Sequence, residues 1–286
     1  MRTPSWLAGL LMLASGGAAA GPAVIWETDG FNNPESVCAD IDRDQLYVSN
    51  VAGVPVEKDG EGFISRLSPD GEVLERRWID GLNAPKGMAV VGGQLFVSDI
   101  DRVVRIEIAS GEIERFFEVP GARFLNDVTA DAQGRVFVSD MMGNAIHRIQ
   151  GERLDTLVAG EELLSPNGLH AEPGRLVVGA WGQRTEGFAT DRPGYLLTVD
   201  TQTGEVAPLA GRAPIGNLDG VVSDGDGGYF LTDWVAGRLL QADDTSDAST
   251  LIDLPQGSAD LGRIPGDKTL LVPLMKDGVV RAYRVD

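Results

Sequence analysis

Past residue 20 the apolar residues fall in short runs separated by Gly, Pro, Asp and Asn, and no stretch keeps the 3.6-residue period of a helix. The runs come in groups of four. From Asp127 they read DVTAD, RVFVSD, AIHRI and LDTLVAG. Turn residues mark the joints, with Gly92-Gly93, Ala132-Gln133-Gly134 and Gly225-Asp226-Gly227-Gly228 between first and second runs, and Pro69-Asp70-Gly71 between third and fourth. This patterning predicts antiparallel strands joined by tight turns, four to a unit.

The unit recurs. LNAPKGMAVVGGQLFV from Leu82, FLNDVTADAQGRVFV from Phe124, LSPNGLHAEPGRLVV from Leu164 and NLDGVVSDGDGGYFL from Asn217 share one frame, in which a polar residue opens each copy. Aligned on that residue, the copies start at Glu35, Lys86, Asp127, Asn167, Asp219 and Asp260, with gaps of 51, 41, 40, 52 and 41 residues. A period near forty marks stacked supersecondary units, and six four-stranded units repeated radially predict an all-β fold, a six-bladed β-propeller occupying residues 21–286 as one domain. The last unit is one strand short after TLLVPL and VVRAYRV. The segment AVIWE at Ala23 to Glu27 can supply the missing strand, so the ring is expected to close by pairing the N-terminal strand with the last blade, which hides two edges.

The two long gaps place their extra residues after YVSN (Val51 to Gly62) and after VVGA (Trp181 to Gly194), both between second and third strands. That connection lies on the same face as the residues that open the first strands, and blades one and four stand opposite each other. The two loops are expected to flank an entrance, with Trp181 and Phe188 as apolar contacts.

Composition narrows the partners. Residues 1–20 have the pattern of a secretory signal: Arg2, an apolar run from Leu7 to Ala14 too short to span a membrane, and Ala18-Ala19-Ala20 as a small-residue cleavage site. A periplasmic or secreted location follows as an expectation. The net charge of −19 becomes one unit more negative once Arg2 is removed, and such a surface repels nucleic-acid backbones and anionic lipid. Neither nucleic acid nor membrane insertion is expected. Cys38 is the single cysteine, so no intramolecular disulfide can form; it is read as a small buried hydrophobe.

In a propeller the first strand of each blade lines the central channel, so the six opening residues converge at one mouth. Turn formation alone would select Asp127, Asn167, Asp219 and Asp260, but not Glu35 or Lys86. Oxygen donors converging from Glu35, Asn167 and Asp219, with Asn126 and Asp127 close by, suit a divalent cation: Ca²⁺ foremost, with Mg²⁺, Mn²⁺ or Zn²⁺ as alternatives, although zinc usually takes some His or Cys. Lys86 and Trp181 join the candidate substrate contacts. The pairs Ser98-Asp99, Ser139-Asp140 and Thr232-Asp233 end second strands and are read as braces between blades. His147 is read as structural. His170 lies three residues past Asn167 and, by alternation, points away from the channel. The sequence shows no Ser-His or Cys-His nucleophile pair and no phosphate-binding loop.

At this point the chain resembles the senescence-marker-protein/gluconolactonase family of six-bladed propellers and, more distantly, the paraoxonase-type lactonases. The resemblance implies a divalent metal at the channel mouth and hydrolysis of a small-molecule lactone or ester. The family's blade-one metal glutamate matches Glu35, here followed by Ser36-Val37 in place of Gly-Pro. Its blade-four asparagine matches Asn167-Gly168, and its blade-five Asp-Gly matches Asp219-Gly220. Its substrate-contacting Arg-x-Asn-Asp matches Arg123 and Asn126-Asp127, with one extra residue between them. Asp127 or Asp219 is then the candidate catalytic base that activates water. The stretch GNAIHRI in blade three also resembles the NHL repeat, which implies the alternative: a non-catalytic propeller that binds a small molecule or protein.

Overall fold

The computed structural model describes residues 21–209, 213–244, 248–264 and 266–285. The signal-peptide reading of residues 1–20 lies outside the described residues. The fold is a six-bladed β-propeller, and each blade is a four-stranded antiparallel sheet. From the channel outward, blade one runs Pro34–Asp40, Gln45–Asn50, Gly62–Leu67 and Val73–Leu82; blade two runs Pro85–Val91, Gln94–Asp99, Arg102–Glu107 and Glu112–Glu118. Blade three runs Leu125–Ala130, Val136–Asp140, Ala145–Gln150 and Arg153–Ala159. Blade four runs Pro166–Glu172, Arg175–Ala180, Leu196–Asp200 and Val206–Pro208, and blade five Leu218–Ser223, Gly228–Asp233, Arg238–Asp243 and Ser249–Asp253.

Blade six is assembled from both ends of the chain. Gly262–Arg263, Thr269–Leu274 and Val279–Arg284 form its inner three strands, and Ala23–Thr28 pairs antiparallel with the third, from Ala23 opposite Arg284 to Thr28 opposite Val280. The expected ring closure is therefore present. It is also tied to blade one, where Trp26 Nε1 donates to the Pro69 carbonyl at 3.0 Å and the Thr28 hydroxyl to the Gly71 carbonyl at 2.6 Å.

Burial explains the sequence pattern blade by blade. The second strands, such as QLFVSD and GYFLTD, are buried almost throughout because a neighbouring blade covers each face, so they read as continuous apolar runs rather than alternating ones. The outermost strands have a solvent side and alternate, as in EIERFFE. The core is correspondingly divided into layers between adjacent blades: Tyr47 and Ile64 pack against Leu95 and Val97 between blades one and two, and Leu46 and Val48 against Leu271 and Val280 between blades one and six. Cys38 is a free, half-buried thiol packed against the first of these layers, and burial pushes its pKa up to about 12.

The Ser/Thr-Asp pairs brace the ring as the repeat predicts. The Ser98, Ser139 and Thr232 hydroxyls donate to the carbonyls of Asn126, Asn167 and Ala259, each in the following blade. The adjoining carboxylates hold the chain entering their own blade: Asp99 accepts from the Ala84 N–H at 2.7 Å and Asp140 from the Phe124 N–H at 2.9 Å. Blade four replaces the hydroxyl with Gly179, where a Cβ would press on the Val221 side chain of blade five.

Candidate functional site

The channel-mouth residues owe their position to a backbone irregularity repeated around the ring. In each of the first five blades the innermost strand loses register with the second strand at the same place: between Pro34 and Val37, Pro85 and Met88, Leu125 and Val128, Pro166 and Leu169, and Leu218 and Val221. A bulge of this kind leaves two residues outside the ladder and re-aims their side chains. The first of the two is Glu35, Lys86, Asn126, Asn167 and Asp219 in blades one to five. The second is Ser36, Gly87, Asp127, Gly168 and Gly220. In blade six the bridges from Ser258 to Leu274 and from Gly262 to Leu271 put Ala259 at the first position and Asp260 at the second.

The six openers aligned in the sequence thus separate into two sets, and Asp127 and Asp260 sit one residue later than the other four. All five polar residues of the first set line a cavity of about 270 Å³ at the channel mouth; Asp127 and Asp260 do not. The second set makes contacts between blades. Asp127 accepts the Leu169 N–H of blade four at 2.5 Å through Oδ2 and the Val128 N–H at 2.6 Å through Oδ1. Asp260 Oδ2 accepts the Ser36 hydroxyl of blade one at 2.6 Å. Where this position is glycine, the next blade fills the space: a Cβ on Gly168 would overlap the Asp219 carbonyl oxygen, and one on Gly220 the Leu261 backbone nitrogen.

The cavity floor is polar and buried. Asn167 is the hub: its Oδ1 accepts from Asn126 Nδ2, and its Nδ2 donates to Asp219 Oδ1 at 3.0 Å and to the Leu218 carbonyl at 3.1 Å. Two oxygens beside this chain, Glu35 Oε2 and Asn126 Oδ1, are buried without any hydrogen-bond partner. Lys86 Nζ donates to the Ala84 carbonyl at 2.8 Å and the Pro55 carbonyl at 3.4 Å, and stands 4.4 Å from the centre of the Phe124 ring. Electrostatics follow from burial and crowding. Desolvation, then the charges of Asp219 and Asp260, hold the Glu35 carboxyl well above the usual carboxylate range. Burial, then Asp260, does the same to Asp219. Asp127 rises for the same first reason, with its two backbone N–H bonds opposing. Burial raises Asp260 to about 7 against the Ser36 hydrogen bond, and lowers Lys86 to about 8 against the attraction of Glu35 and Asp99.

The floor is rich in acceptor oxygens and short of positive charge. Buried carboxylates outnumber the one ammonium, and an unpartnered buried oxygen is a costly group unless something binds it. Among the described residues no three carboxylate, imidazole or thiolate groups form a metal-ligating cluster. The residues that fit an ion are two carboxylates and an amide, Glu35, Asp219 and Asn167, a hard oxygen set of the calcium and magnesium type.

The walls are apolar, and they carry a pattern that the sequence reading missed. The residue directly after each second strand is large and apolar in every blade: Val51, Ile100, Met141, Trp181, Trp234 and Met275. The signal was in the sequence, one step beyond the YVSN, VSD and LTD ends. Four of these six, together with Phe124, form the cavity wall. Both long loops reach it as expected, the blade-one loop through Pro55 and the blade-four loop through Trp181 and Phe188. The blade-four insertion adds a hairpin, Gly182–Arg184 with Thr190–Pro193, that folds Phe188 over the site; Trp181 Nε1 donates to the Phe188 carbonyl at 2.9 Å, and the Phe124 and Phe188 rings meet edge to face at 5.4 Å. Arg123 is exposed and does not line the cavity. His147 Nδ1 lies 3.1 Å from the Thr156 hydroxyl in blade three, and His170 packs edge-on against the Tyr229 ring; neither lines the cavity.

Comparison with known proteins agrees with this architecture. A gluconolactonase from Xanthomonas campestris superposes with a TM-score of 0.70 at 15% identity, covering 94% of this chain and 96% of that one. A catalytically inactive virginiamycin B lyase from Staphylococcus aureus, solved with quinupristin, has a TM-score of 0.62 at 14% identity, covering 91% and 99%. A chain of a nidogen/laminin complex has a TM-score of 0.57 at 19% identity, covering 73% and 75%. At these identities the likenesses show the fold alone. No curated protein matches the sequence. The family model for the SMP-30/gluconolactonase/LRE-like region matches residues 34–260, from the first strand of blade one to the bulge of blade six, and the chain belongs to that family.

Proposed function

We propose that the protein is a divalent-metal-dependent hydrolase of lactones or related esters. The observation that carries this reading is the unpartnered Glu35 Oε2, buried at the cavity floor with the Asp219–Asn167–Asn126 chain beside it. Glu35, Asn167 and Asp219 would hold the ion, Ca²⁺ foremost. When bound, it would polarise the ester carbonyl and stabilise the developing oxyanion. Asp219 faces the cavity and is positioned to take the proton of the attacking water and return it to the leaving alkoxide. Asp127 has both oxygens on backbone N–H groups, which favours Asp219 for the base. Asn126 offers its free Oδ1 to the substrate. Lys86, the only cationic side chain lining the cavity among the described residues, would hold the carboxylate that ring opening creates. The leader-like pattern of residues 1–20 supports a location outside the cytoplasm as part of this reading.

Calorimetric titration with Ca²⁺, Mg²⁺, Mn²⁺ and Zn²⁺ tests the reading on the wild type, Glu35→Gln and Asn167→Gly. Glycine can take the bulge backbone at 167 without strain, so a residue needed only for that backbone geometry would tolerate the change. The expected result is ion binding and lactone hydrolysis by the wild type, both mostly lost in either variant, with the circular dichroism spectrum unchanged. A wild type that binds none of the ions and opens no lactone would make this a binding propeller.

A further inference from the structure

We infer that the site is built for a lactone or ester carrying an apolar substituent, not for a polyhydroxylated sugar lactone. The inference rests on the hydrolase reading above and deepens it. Its ground is the wall. One large apolar residue per blade follows the second strand, and Met141, Trp181, Trp234 and Met275 of that collar face the cavity. The apolar lining continues outward to Phe188 and Val235, which remain 44% and 42% exposed at the entrance. Val54 and Val56 of the blade-one loop, on either side of the wall residue Pro55, are likewise exposed. Solvent-facing apolar side chains gathered at the mouth of one pocket mark a surface that a ligand covers.

Few polar groups reach this wall. Trp181 Nε1 is held by the Phe188 carbonyl and Asn126 Nδ2 by Asn167, and Lys86 stands at the floor with two of its three N–H groups turned to backbone carbonyls. A substrate ring bearing several hydroxyls would place them against methionine and indole side chains, losing hydrogen bonds to water without replacement. An alkyl or aryl substituent would instead remove apolar surface of its own and of the collar from water. Among the described residues lining the cavity, the unpartnered buried oxygens are Glu35 Oε2 and Asn126 Oδ1, both on the floor, where the reacting carbonyl belongs. The arrangement therefore discriminates between the two substrate classes at the ring substituents, with the chemistry common to both.

Three lactones with the same six-membered ring separate the possibilities: δ-gluconolactone, unsubstituted δ-valerolactone and δ-decalactone, which carries a five-carbon tail. The expected order of kcat/KM is decalactone, valerolactone, gluconolactone, with each step about tenfold or more. Phe188→Ala and Val235→Asn, both at exposed positions, should lower the decalactone-to-valerolactone ratio by about tenfold with the circular dichroism spectrum unchanged. Gluconolactone turned over as fast as decalactone, or a ratio unchanged in both variants, would overturn the inference and leave the hydrolase reading standing. The converse failure is read by binding. The δ-lactam with the same pentyl tail cannot be turned over on this timescale, and Trp181 and Trp234 report its arrival through their fluorescence in the metal-free protein. If no lactone is opened, the hydrolase reading fails; quenching by this lactam that weakens in Val235→Asn would still support the apolar site, and its absence would refute it.

Discussion

Blades three and five carry the same bulge between the same flanking residues, Leu125-Asn126-Asp127-Val128 against Leu218-Asp219-Gly220-Val221, and use their aspartates in opposite ways. In blade five the aspartate takes the first bulge position, faces the cavity and keeps one oxygen beyond its bond to Asn167. In blade three the aspartate comes second, turns toward blade four and ties the Leu169 and Val128 N–H groups. One residue along the chain separates a carboxylate that can meet a ligand from one that joins two blades. In blades one to five the first position lines the cavity, and the second is turned to the neighbouring blade.

Substitutions can break that division, and the largest effect is expected at a second-position glycine. In Gly168→Ala the added methyl group meets the Asp219 carbonyl oxygen, so blades four and five must move apart; urea unfolding should show a loss of more than about 3 kcal/mol. Next comes Asp127→Ala, which leaves two buried N–H groups unpaired and should lower stability by about 3 kcal/mol while ion affinity stays within a factor of two or so of wild type. Ion binding lost at native stability would return Asp127 to the site. Asp219→Asn should do the reverse. Ion affinity should fall about 100-fold, roughly 2.7 kcal/mol, while the metal-free protein melts at the same temperature or higher because one of several crowded buried carboxylates has become neutral. The smallest effect belongs to Asn126→Ala, which removes one unpartnered oxygen and the bond to Asn167: about tenfold in kcat/KM, or about 1.4 kcal/mol, read with the best substrate of the lactone series. A larger stability loss for Asn126→Ala than for Asp127→Ala would overturn the assignment of positions.

Much of this was readable in the chain because a propeller repeats its instructions. The forty-residue period, the glycine turns and the missing strand together determine six blades and a closure by AVIWE, and the two long gaps locate the loops that reach the cavity. What the letters could not resolve was the bulge. In Asn167-Gly168 and Asp219-Gly220 only one residue of the pair has a side chain, so the alignment is unambiguous. In Asn126-Asp127 both are polar, and in Ala259-Asp260 the polar residue is the second. Only the pairing with the neighbouring strand decides which faces the channel, and that pairing is a long-range property. Alternation alone does not fix His170, since a bulge lies between it and the strand's opening residue; its ring packs on Tyr229 and does not line the cavity. The hairpin within the blade-four insertion is not legible in the chain because its short strands, Gly-Gln-Arg and Thr-Asp-Arg-Pro, carry no apolar alternation.

The strand shared between the two ends of the chain also sets an order of events. Blades one to five each pair strands close in sequence, whereas Ala23 meets Arg284 only after nearly the whole polypeptide is available. Contacts at such separation form late, since the intervening chain must be ordered before they are rewarded. Until then the segment containing Val24, Ile25 and Trp26 is an apolar strand without a partner, and the open face of blade six is its match in every other copy of the protein. Refolding yield should therefore fall as protein concentration rises, with one molecule's first strand competing for another's last blade.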